Sequence, residues 1–246
     1  MTTSPHAVQP TSKAARTPSL QAVGLEKSFM AGTLPVQVLR GLSLDVLPGE
    51  LTLVAGPSGC GKSTLLSLLS GLSPPDAGRV GALGEDLGGM SRADAERFRL
   101  RHVGFVFQGF NLFPALTALE QVQLPLGYLG ISKRESAAMA ARALDEVGLS
   151  HRSDMRPAQL SGGEKQRVAV ARAFAKSPTL IFADEPTSAL DAHNGQRVID
   201  ILHRYARDHD TTVLCVSHDP RLIQHADRVI AMEDGAIRDD RRQNEP

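Results

Sequence analysis

The chain has 246 residues, with 27 basic against 27 acidic side chains and a formal net charge of zero. That length suits one large α/β domain with a subdomain, and the balanced charge argues against a strongly electrostatic nucleic-acid binder. Aromatic residues make up only 4% of the chain and Trp is absent, which argues against a base-stacking platform.

The cysteines and the terminal segments set further limits. Cys60 and Cys215 lack metal-ligand spacing, and we expect both to be small packed residues rather than a disulfide. No apolar stretch approaches the roughly 20 residues of a membrane span, and residues 1–20 contain no apolar core of a secretory signal. We expect flexible tails at 1–19 and 238–246 around one domain at 20–237. We also expect the protein to be cytoplasmic, or held at a membrane by something else.

The first part of the domain has a β pattern. Short apolar runs at 22–29, 36–39 and 42–47 are divided by Gly32, Gly41 and the turn signal Pro48-Gly49. This pattern predicts an antiparallel β layer that leads into the next motif.

That motif is a glycine-rich loop between a strand and a helix. Residues 56–63 read G-x-x-x-x-G-K-S, after the apolar run 50–55 and before a stretch with leucines at 65, 68, 69 and 72 in helical spacing. Glycines let backbone N–H groups approach phosphate oxygens, the helix N-terminus adds its dipole, Lys62 adds charge, and the Ser63 hydroxyl suits Mg²⁺. A plain glycine turn before an ordinary helix is the alternative, which this context disfavours. The residues expected to contact a nucleoside triphosphate here are Gly56, Pro57, Ser58, Gly59, Cys60, Gly61, Lys62, Ser63 and Thr64.

The middle of the chain turns helical. A helix at 91–100 with Ser91 as its N-cap precedes a strand at 102–107 that ends at Gln108. Capping boxes at Thr117 and Ser132 then open two helices, the second stopping at Gly148. We interpret residues 109–160 as a helical subdomain inserted into an α/β core.

Strands and helices alternate in the last third. A third capping box at 161–164 opens a helix that must end before Pro178, and apolar strands follow at 179–184 and 211–217, separated by a helix with Asp191 as its N-cap. A hairpin with a type I′ turn at Asp234-Gly235 closes the domain. The predicted fold is α/β, with a mainly parallel sheet covered by helices on both faces.

Polar residues follow several of these strands, where ligands bind in parallel sheets. Asp184 is placed to help hold Mg²⁺, and Glu185 to orient or deprotonate an attacking water. Alternatively, Asp184 caps a turn and Glu185 is a solvated charge. His218 follows another strand and is a candidate to meet the γ-phosphate, and Gln108 is placed in the same way after the strand before it, although a lone His or Gln is usually structural.

The segment 161–164 follows no strand. Its Ser N-cap, its two glycines and the helix dipole behind them are typical of an anion site, and equally of a well-capped helix. The physics leaves both open.

Together these motifs resemble the ABC-type ATPases, over residues 20–237. Leu160–Glu164 resembles the family signature, 56–63 its Walker A loop and Gln108 its Q-loop glutamine. Residues 180–185 resemble Walker B with the catalytic glutamate, 188–191 the D-loop, and His218 the switch histidine.

The resemblance implies a P-loop NTPase core, ATP and Mg²⁺ as ligands, and two copies arranged head to tail. ATP on one copy is then closed over by Ser161, Gly162, Gly163 and Glu164 of the other, and Asp191 of the D-loop joins the nucleotide-binding residues. It implies Lys62, Glu185 and His218 as catalytic residues and Ser63, Gln108 and Asp184 as metal ligands. Phe29 is the candidate to stack on adenine, where Tyr is commoner, or else is a core residue.

Within the family, residues 104–112, 116–122 and 124–126 are similar to the MacB/LolD-type exporters and lipoprotein-release ATPases. Gln121 departs from the usual Asn of that group, and Ser188–Asp191 from its usual Gly-Asn-Leu-Asp. The similarity implies an ATPase subunit, paired with an identical copy, that drives a separate membrane permease from the inner face of the membrane. An importer ATPase is the alternative. A soluble ABC protein acting on nucleic acid is disfavoured by the single ATPase unit and the neutral charge.

Three residues near Gln108 are candidates to line a groove for the permease: Phe110, Phe113 and Tyr128. Packing within the helical subdomain is the alternative role for them.

Overall fold

The structure, a computed structural model, describes residues 16–243. Of the tails expected at 1–19 and 238–246, residues 1–15 and 244–246 lie outside the described residues. The strands are β1 (Leu20–Ala31), β2 (Leu34–Val46), β3 (Leu51–Ala55), β4 (Ala77–Ala82), β5 (Glu85–Asp86), β6 (Val103–Val106), β7 (Leu180–Asp184), β8 (Thr212–Ser217), β9 (Arg228–Glu233) and β10 (Ala236–Arg242). The helices are α1 (Lys62–Leu69), α2 (Arg92–His102), α3 (Ala118–Tyr128), α4 (Lys133–Glu146), α5 (Gly162–Phe174), α6 (Ala192–Asp208) and α7 (Pro220–His225).

These strands form two sheets. An antiparallel sheet has the order β2-β1-β4-β5, and a larger sheet has the order β10-β9-β3-β8-β7-β6. In the larger sheet β9, β3, β8, β7 and β6 run parallel, and β10 pairs antiparallel at the edge. The predicted α/β class, with an antiparallel β layer beside a mainly parallel sheet, is confirmed.

The larger sheet separates two hydrophobic cores. Successive side chains of a strand point to opposite faces, and β7 shows the result. Leu180 and Phe182 pack with α1 and the antiparallel sheet. Ile181 and Ala183 pack with α3 to α6 on the other face. A strand buried on both faces has to be apolar throughout, which explains the uninterrupted apolar runs in the sequence.

The helix boundaries follow local capping. Thr117 and Ser161 each form a full capping box with the glutamate three positions later. Ser132 accepts a bond from the Glu135 amide, without the reciprocal bond from the glutamate side chain. α1 ends at Leu69, so Leu72 lies beyond it and is 51% exposed, contrary to the leucine periodicity.

The β layer also differs from its prediction. Gly41 does not divide two strands but lies inside β2 with φ 71°, next to a shift in the β1–β2 register. Its left-handed conformation makes the bulge that keeps the strand continuous. Strands β4 and β5 were not predicted, because the sequence AGRVGA of β4 has two glycines and a single strand former.

The C-terminal boundary needs a correction. Residues beyond 238 were expected to be a flexible tail, yet β10 continues to Arg242. Two ion pairs hold it: Arg228 Nε lies 2.7 Å from Asp240 Oδ1, and Arg242 Nη1 lies 2.7 Å from Glu50 Oε1. Near the other end, the amide of Ser19 already donates to the Val46 carbonyl at 2.9 Å, one residue before the expected domain start.

Among residues 16–243, no helix combines the length and the apolarity needed to cross a membrane.

Candidate functional site

The carboxyl ends of four neighbouring strands meet at one edge of the larger sheet. Ala55 of β3 lies opposite Ser217 of β8, Val216 of β8 opposite Asp184, and Ala183 of β7 opposite Val106 of β6. The phosphate loop, His218, Glu185 and Gln108 all follow at this edge, because each begins within two residues of the end of one of these strands. The register therefore gathers four segments that are far apart in sequence.

The glycines of the phosphate loop lie where the backbone conformation or the lack of space disfavours a side chain. Gly59 and Gly61 have φ of 81° and 102°, conformations that other residues rarely adopt. A Cβ at Gly56 would lie 2.1 Å from the Met232 carbonyl oxygen, and one at Gly61 would lie 3.0 Å from Leu39 Cδ2. The loop is thus packed closely between β2 and β9.

Lys62, the first residue of α1, turns back over this loop. Its Nζ donates to the carbonyls of Gly56 at 2.8 Å and Pro57 at 2.9 Å, and the residue is only 8% exposed. The backbone N–H groups of Lys62, Ser63 and Thr64 belong to the first turn of the helix, where no intrahelical acceptor exists. A buried ammonium beside free amides makes a site for an anion.

Ser63 and Asp184 form the oxygen-rich part of the site. The Ser63 hydroxyl donates to Asp184 Oδ1 at 3.0 Å. Burial raises the pKa of the Asp184 carboxyl, the Ser63 hydrogen bond opposes that rise, and the charge of Glu185 adds to it. A hydroxyl and a carboxylate suit Mg²⁺, which binds through one or two protein oxygens together with substrate phosphates. Gln108 is exposed at the same edge, two residues after β6.

Glu185 and His218 lie in direct contact. Nδ1 of His218 is 2.8 Å from Oε1 of Glu185, and the Ser217 hydroxyl donates to Oε2 of Glu185 at 2.9 Å. Glu185 has φ 46°, a conformation uncommon outside glycine, and its amide donates to the Val216 carbonyl at 2.9 Å. The carboxylate is held at both oxygens, and His218 is 67% exposed beside it.

The segment 161–164 begins α5 and belongs to a different part of the molecule. The Ser161 amide donates to Glu164 Oε2 at 2.9 Å, and the Glu164 amide donates to Ser161 Oγ at 3.3 Å. These bonds lower the pKa of Glu164, led by that from the Ser161 backbone. Ser161 and Gly162 are exposed. Within residues 16–243, no hydrogen bond joins 161–164 to the loop 56–63.

Asp191 is the N-cap of α6, as predicted. Its Oδ1 accepts from the Asn194 amide at 2.9 Å and its Oδ2 from the Asn194 side chain at 2.7 Å. Asn194 in turn accepts from Arg167 of α5 at 3.2 Å. A Cβ at Gly163 would lie 2.4 Å from Asn194 Cγ, so α5 and α6 begin in close contact.

Phe29 lies on β1 at the rim of the antiparallel sheet. It is 49% exposed, and Lys27 Nζ lies 5.7 Å from its ring centroid. Lys27 is held by Asp76 at 2.7 Å. The exposure argues against the alternative of a core phenylalanine.

The candidate groove residues are also accessible. Phe113 is 57% and Tyr128 79% exposed, and Phe110 is partly buried. Tyr128 lines a cleft of about 490 Å³ on α3, with Leu116, Leu124 and Ile131.

Four residues near the site were missed from the sequence. Ser217 contacts Glu185, and Asp219 accepts from Thr187 Oγ1 at 2.7 Å and from Arg221 Nη2 at 2.6 Å. The polar run 217–219 after an apolar strand was a signal for the first two. Nothing in the sequence pointed to Thr187 or Arg221.

Both cysteines are buried and free. Burial raises the pKa of the Cys215 thiol to about 12.

Comparison with known proteins gives consistent matches. A family model described as ABC transporter matches residues 39–188. The macrolide export ATP-binding/permease protein MacB of Escherichia coli strain K12 is 41% identical over 221 residues, 90% of this chain and 34% of that protein. MacB of Marinobacter nauticus is 43% identical over 223 residues, 91% of this chain and 34% of that protein. The chain therefore spans about a third of the length of these curated relatives.

Solved structures agree in fold. The dimeric ATP-binding cassette MJ0796, in a post-hydrolysis state bound to ADP and Pi, has a TM-score of 0.86 and 33% identity, covering 92% of this chain and 100% of that one. The protein cbiO1 from Clostridium perfringens, part of the ABC transporter complex cbiONQ, has a TM-score of 0.81 and 26% identity. That match covers 91% of this chain and 88% of cbiO1.

Proposed function

This chain belongs to the ABC transporter family, and from that membership we propose that it is the ATP-hydrolysing subunit of a membrane exporter, in which closure of two ATPase copies over ATP drives a permease. The observation that carries the proposal is the pair of contacts at one sheet edge. Ser63 meets Asp184 at 3.0 Å, and His218 meets Glu185 at 2.8 Å beside it.

The hydrolytic step follows from these contacts. Lys62 and the loop amides bind the phosphates of ATP, and Ser63, Asp184 and Gln108 would hold Mg²⁺, which supplies charge neutralisation at the phosphate oxygens. The Glu185 carboxylate, held in place by Ser217, orients a water and accepts its proton as the water attacks the γ-phosphorus. The bond from the γ-phosphorus to the β–γ bridging oxygen breaks, and ADP leaves with that oxygen. His218 stabilises the charge on the γ-phosphate oxygens. Catalysis rests on positioning and electrostatics.

A second copy would complete the site. Ser161 and Gly162 are exposed and, among the described residues, make no hydrogen bond to the chain's own loop, so a partner's loop is free to meet them. The free amides and helix dipole at the start of α5 suit the γ-phosphate of ATP bound to that partner. The dimeric state of the cassette MJ0796 supports this arrangement.

The permease partner is proposed from the relatives. MacB is named an ATP-binding/permease protein, and this chain matches a third of it. The cleft on α3 next to Tyr128 is our candidate surface for the permease's cytoplasmic segment. The protein would then work at the inner face of the cell membrane, and the permease would select the cargo.

The experiment is phosphate release by the purified chain with Mg²⁺ and ATP, alongside affinity purification of the tagged chain from detergent-solubilised cells. We expect hydrolysis that rises more than linearly with protein concentration, and co-purification of an integral membrane protein. Absence of ATP hydrolysis with and without that partner would refute the enzymatic part. ATP hydrolysis by the chain, together with failure to co-purify any integral membrane protein, would favour a soluble ABC ATPase.

A further inference from the structure

Arg221, in the first turn of α7, connects two segments of the site that the proposed mechanism treats separately. Its Nε lies 2.9 Å and 3.0 Å from the two carboxylate oxygens of Asp219, and its Nη2 lies 2.6 Å from Oδ2. Its Nη1 reaches the start of α6, donating to the carbonyls of Asp191 at 3.3 Å and Ala192 at 2.8 Å. The guanidinium thus forms a fork: one side binds the Asp219 carboxylate, and the other side binds the start of α6.

On one side, the fork leads to the hydrolytic carboxylate. The Asp219 amide donates to Ser217 Oγ at 3.1 Å, and Ser217 Oγ donates to Glu185 Oε2 at 2.9 Å. Thr187, two residues after Glu185, donates its hydroxyl to Asp219 at 2.7 Å. Asp219 is therefore bound to the Glu185 segment by two routes.

On the other side, the fork leads to the helix that carries Ser161–Glu164. Asp191 caps α6 through Asn194, and Asn194 accepts from Arg167 of α5. An unbroken series of hydrogen bonds runs from Glu185 to α5, and Arg221 is the member that joins its two halves.

Helix stability does not explain the position of Arg221. A cation at a helix N-terminus opposes the helix dipole and is unfavourable there. The carbonyl of Asp191 already accepts the intrahelical bond from the Gly195 amide at 2.9 Å, so it needs no second donor.

The fold also keeps a space for this guanidinium. A Cβ at Gly195 would lie 2.5 Å from Arg221 Nη1 and 2.8 Å from its Cζ. Glycine inside a helix is less favourable than alanine, so the helix gives up stability where the arginine packs.

We propose that Arg221 is a positioning residue that fixes the start of α6, and through it the Ser161–Glu164 segment, to the switch segment 217–219. The hydrolytic carboxylate of one ATP site and the segment that closes the other site then move as one unit. This inference rests on the proposed ATPase function.

Two substitutions test the link from opposite sides. Arg221→Gln removes the fork, and Gly195→Ala displaces the guanidinium while adding helix propensity. We expect each to lower kcat for ATP about tenfold or more, because small misplacement of a catalytic group is costly, while KM for ATP changes less than about twofold. The double variant should be no worse than Arg221→Gln alone, since both remove the same contact. The matched control is Arg207→Gln, near the other end of α6. It breaks the 2.8 Å ion pair between Arg207 and Asp227 and should leave kcat unchanged.

Hydrogen exchange provides a readout that needs no hydrolysis. Arg221→Gln and Gly195→Ala should speed amide exchange at 189–195 in the nucleotide-free protein, and Arg207→Gln should not. Gly195→Ala should also keep or raise the unfolding midpoint, so lost activity in that variant cannot come from poor folding.

Unchanged kcat in both variants of an active enzyme would overturn the inference, as would additive losses in the double variant. If the wild-type protein fails to hydrolyse ATP, the proposed function fails first. The exchange data then decide the link alone, and unchanged exchange at 189–195 in Arg221→Gln would overturn it.

Discussion

The hydroxyl of Ser63 donates a 3.0 Å hydrogen bond to Oδ1 of Asp184, across 121 positions of sequence. This bond joins the first turn of α1 to the end of β7, with β8 lying between β3 and β7 in the sheet. Two of the three proposed metal ligands therefore already face each other in the folded chain. The Asp184 carboxyl is partly buried, and this burial raises its pKa.

We expect Asp184→Asn to raise the stability of the fold and to weaken Mg²⁺ binding. An acid whose pKa is raised in the folded state destabilises the fold at pH values above that pKa, because the unfolded chain ionises more readily. The variant should therefore be more stable than wild type at pH 7 without nucleotide, and the difference should shrink as pH falls towards 4. It should also need a higher Mg²⁺ concentration for half-maximal hydrolysis. Denaturant unfolding at several pH values and a Mg²⁺ titration measure both, and a less stable variant at pH 7 would contradict the first expectation.

Glu185→Gln should stop hydrolysis but leave nucleotide binding intact. The amide keeps a carbonyl to accept from Ser217 but cannot take a proton from water. We expect kcat to fall by a factor of about 10² to 10⁴, with ATP affinity within about threefold of wild type. ATP should then hold the variant as a dimer in size-exclusion chromatography. Glu96→Gln, on the exposed face of α2, is the control carboxylate and should behave as wild type. Turnover at the wild-type rate in Glu185→Gln would remove Glu185 from its proposed role.

Asp219 should stabilise the fold at neutral pH and lose that effect in acid. The hydrogen bond from Arg221 is the largest cause that lowers the pKa of Asp219 from 3.8 to about 2. Its side chain is 12% exposed. A depressed pKa contributes stability that is complete above the unfolded value and fades as pH falls through the folded value. Asp219→Asn should lose about 2 kcal/mol of unfolding free energy at pH 7 and roughly half as much at pH 3. A loss that is the same at both pH values would mean that the charge is not responsible.

Substitutions at Phe29 distinguish a ring that stacks on adenine from a ring that packs within the fold. The ring is 49% exposed, so Phe29→Ala should change the unfolding midpoint little. It should raise KM for ATP about tenfold, since loss of one base–aromatic stack costs about 1–3 kcal/mol. Phe29→Tyr should keep wild-type KM because the π-face remains. Kinetics on the three proteins with thermal unfolding provides the comparison, and strong destabilisation by Ala with unchanged KM would return Phe29 to a packing role.

Local signals predicted the elements with strong patterns. The apolar runs of β7 and β8, and the caps at Ser91, Thr117, Ser161 and Asp191, need only neighbouring residues to take effect. The turn at Asp234-Gly235 has positive φ at both positions, as its type I′ prediction requires. The register then follows, because parallel strands end at one edge.

Elements that depend on distant partners were missed. β4 is a strand because β1 offers it a ladder, not because AGRVGA favours one. β10 runs past residue 238 because Arg228 and Glu50 pair with its charged side chains. Arg221 reads as an ordinary surface cation until the chain brings it against Asp191 and Ala192, thirty and twenty-nine positions away. Pairing between charged residues that are far apart in sequence can be identified only in the folded structure.

The capping box at the start of α5 determines which hydrogen bonds the Ser161 hydroxyl can still make. Ser161 Oγ accepts the Glu164 amide, so an oxygen lone pair is committed within the chain. The Ser161 side chain is exposed, and its hydroxyl also contacts the Glu164 carboxylate, which helps to lower the pKa of that carboxyl. A hydroxyl proton can rotate from that carboxylate to a phosphate oxygen, so Ser161 can donate to a second nucleotide and still accept the bond that caps the helix. Helix capping thereby also sets the polarity of the surface that this chain would show to a second nucleotide.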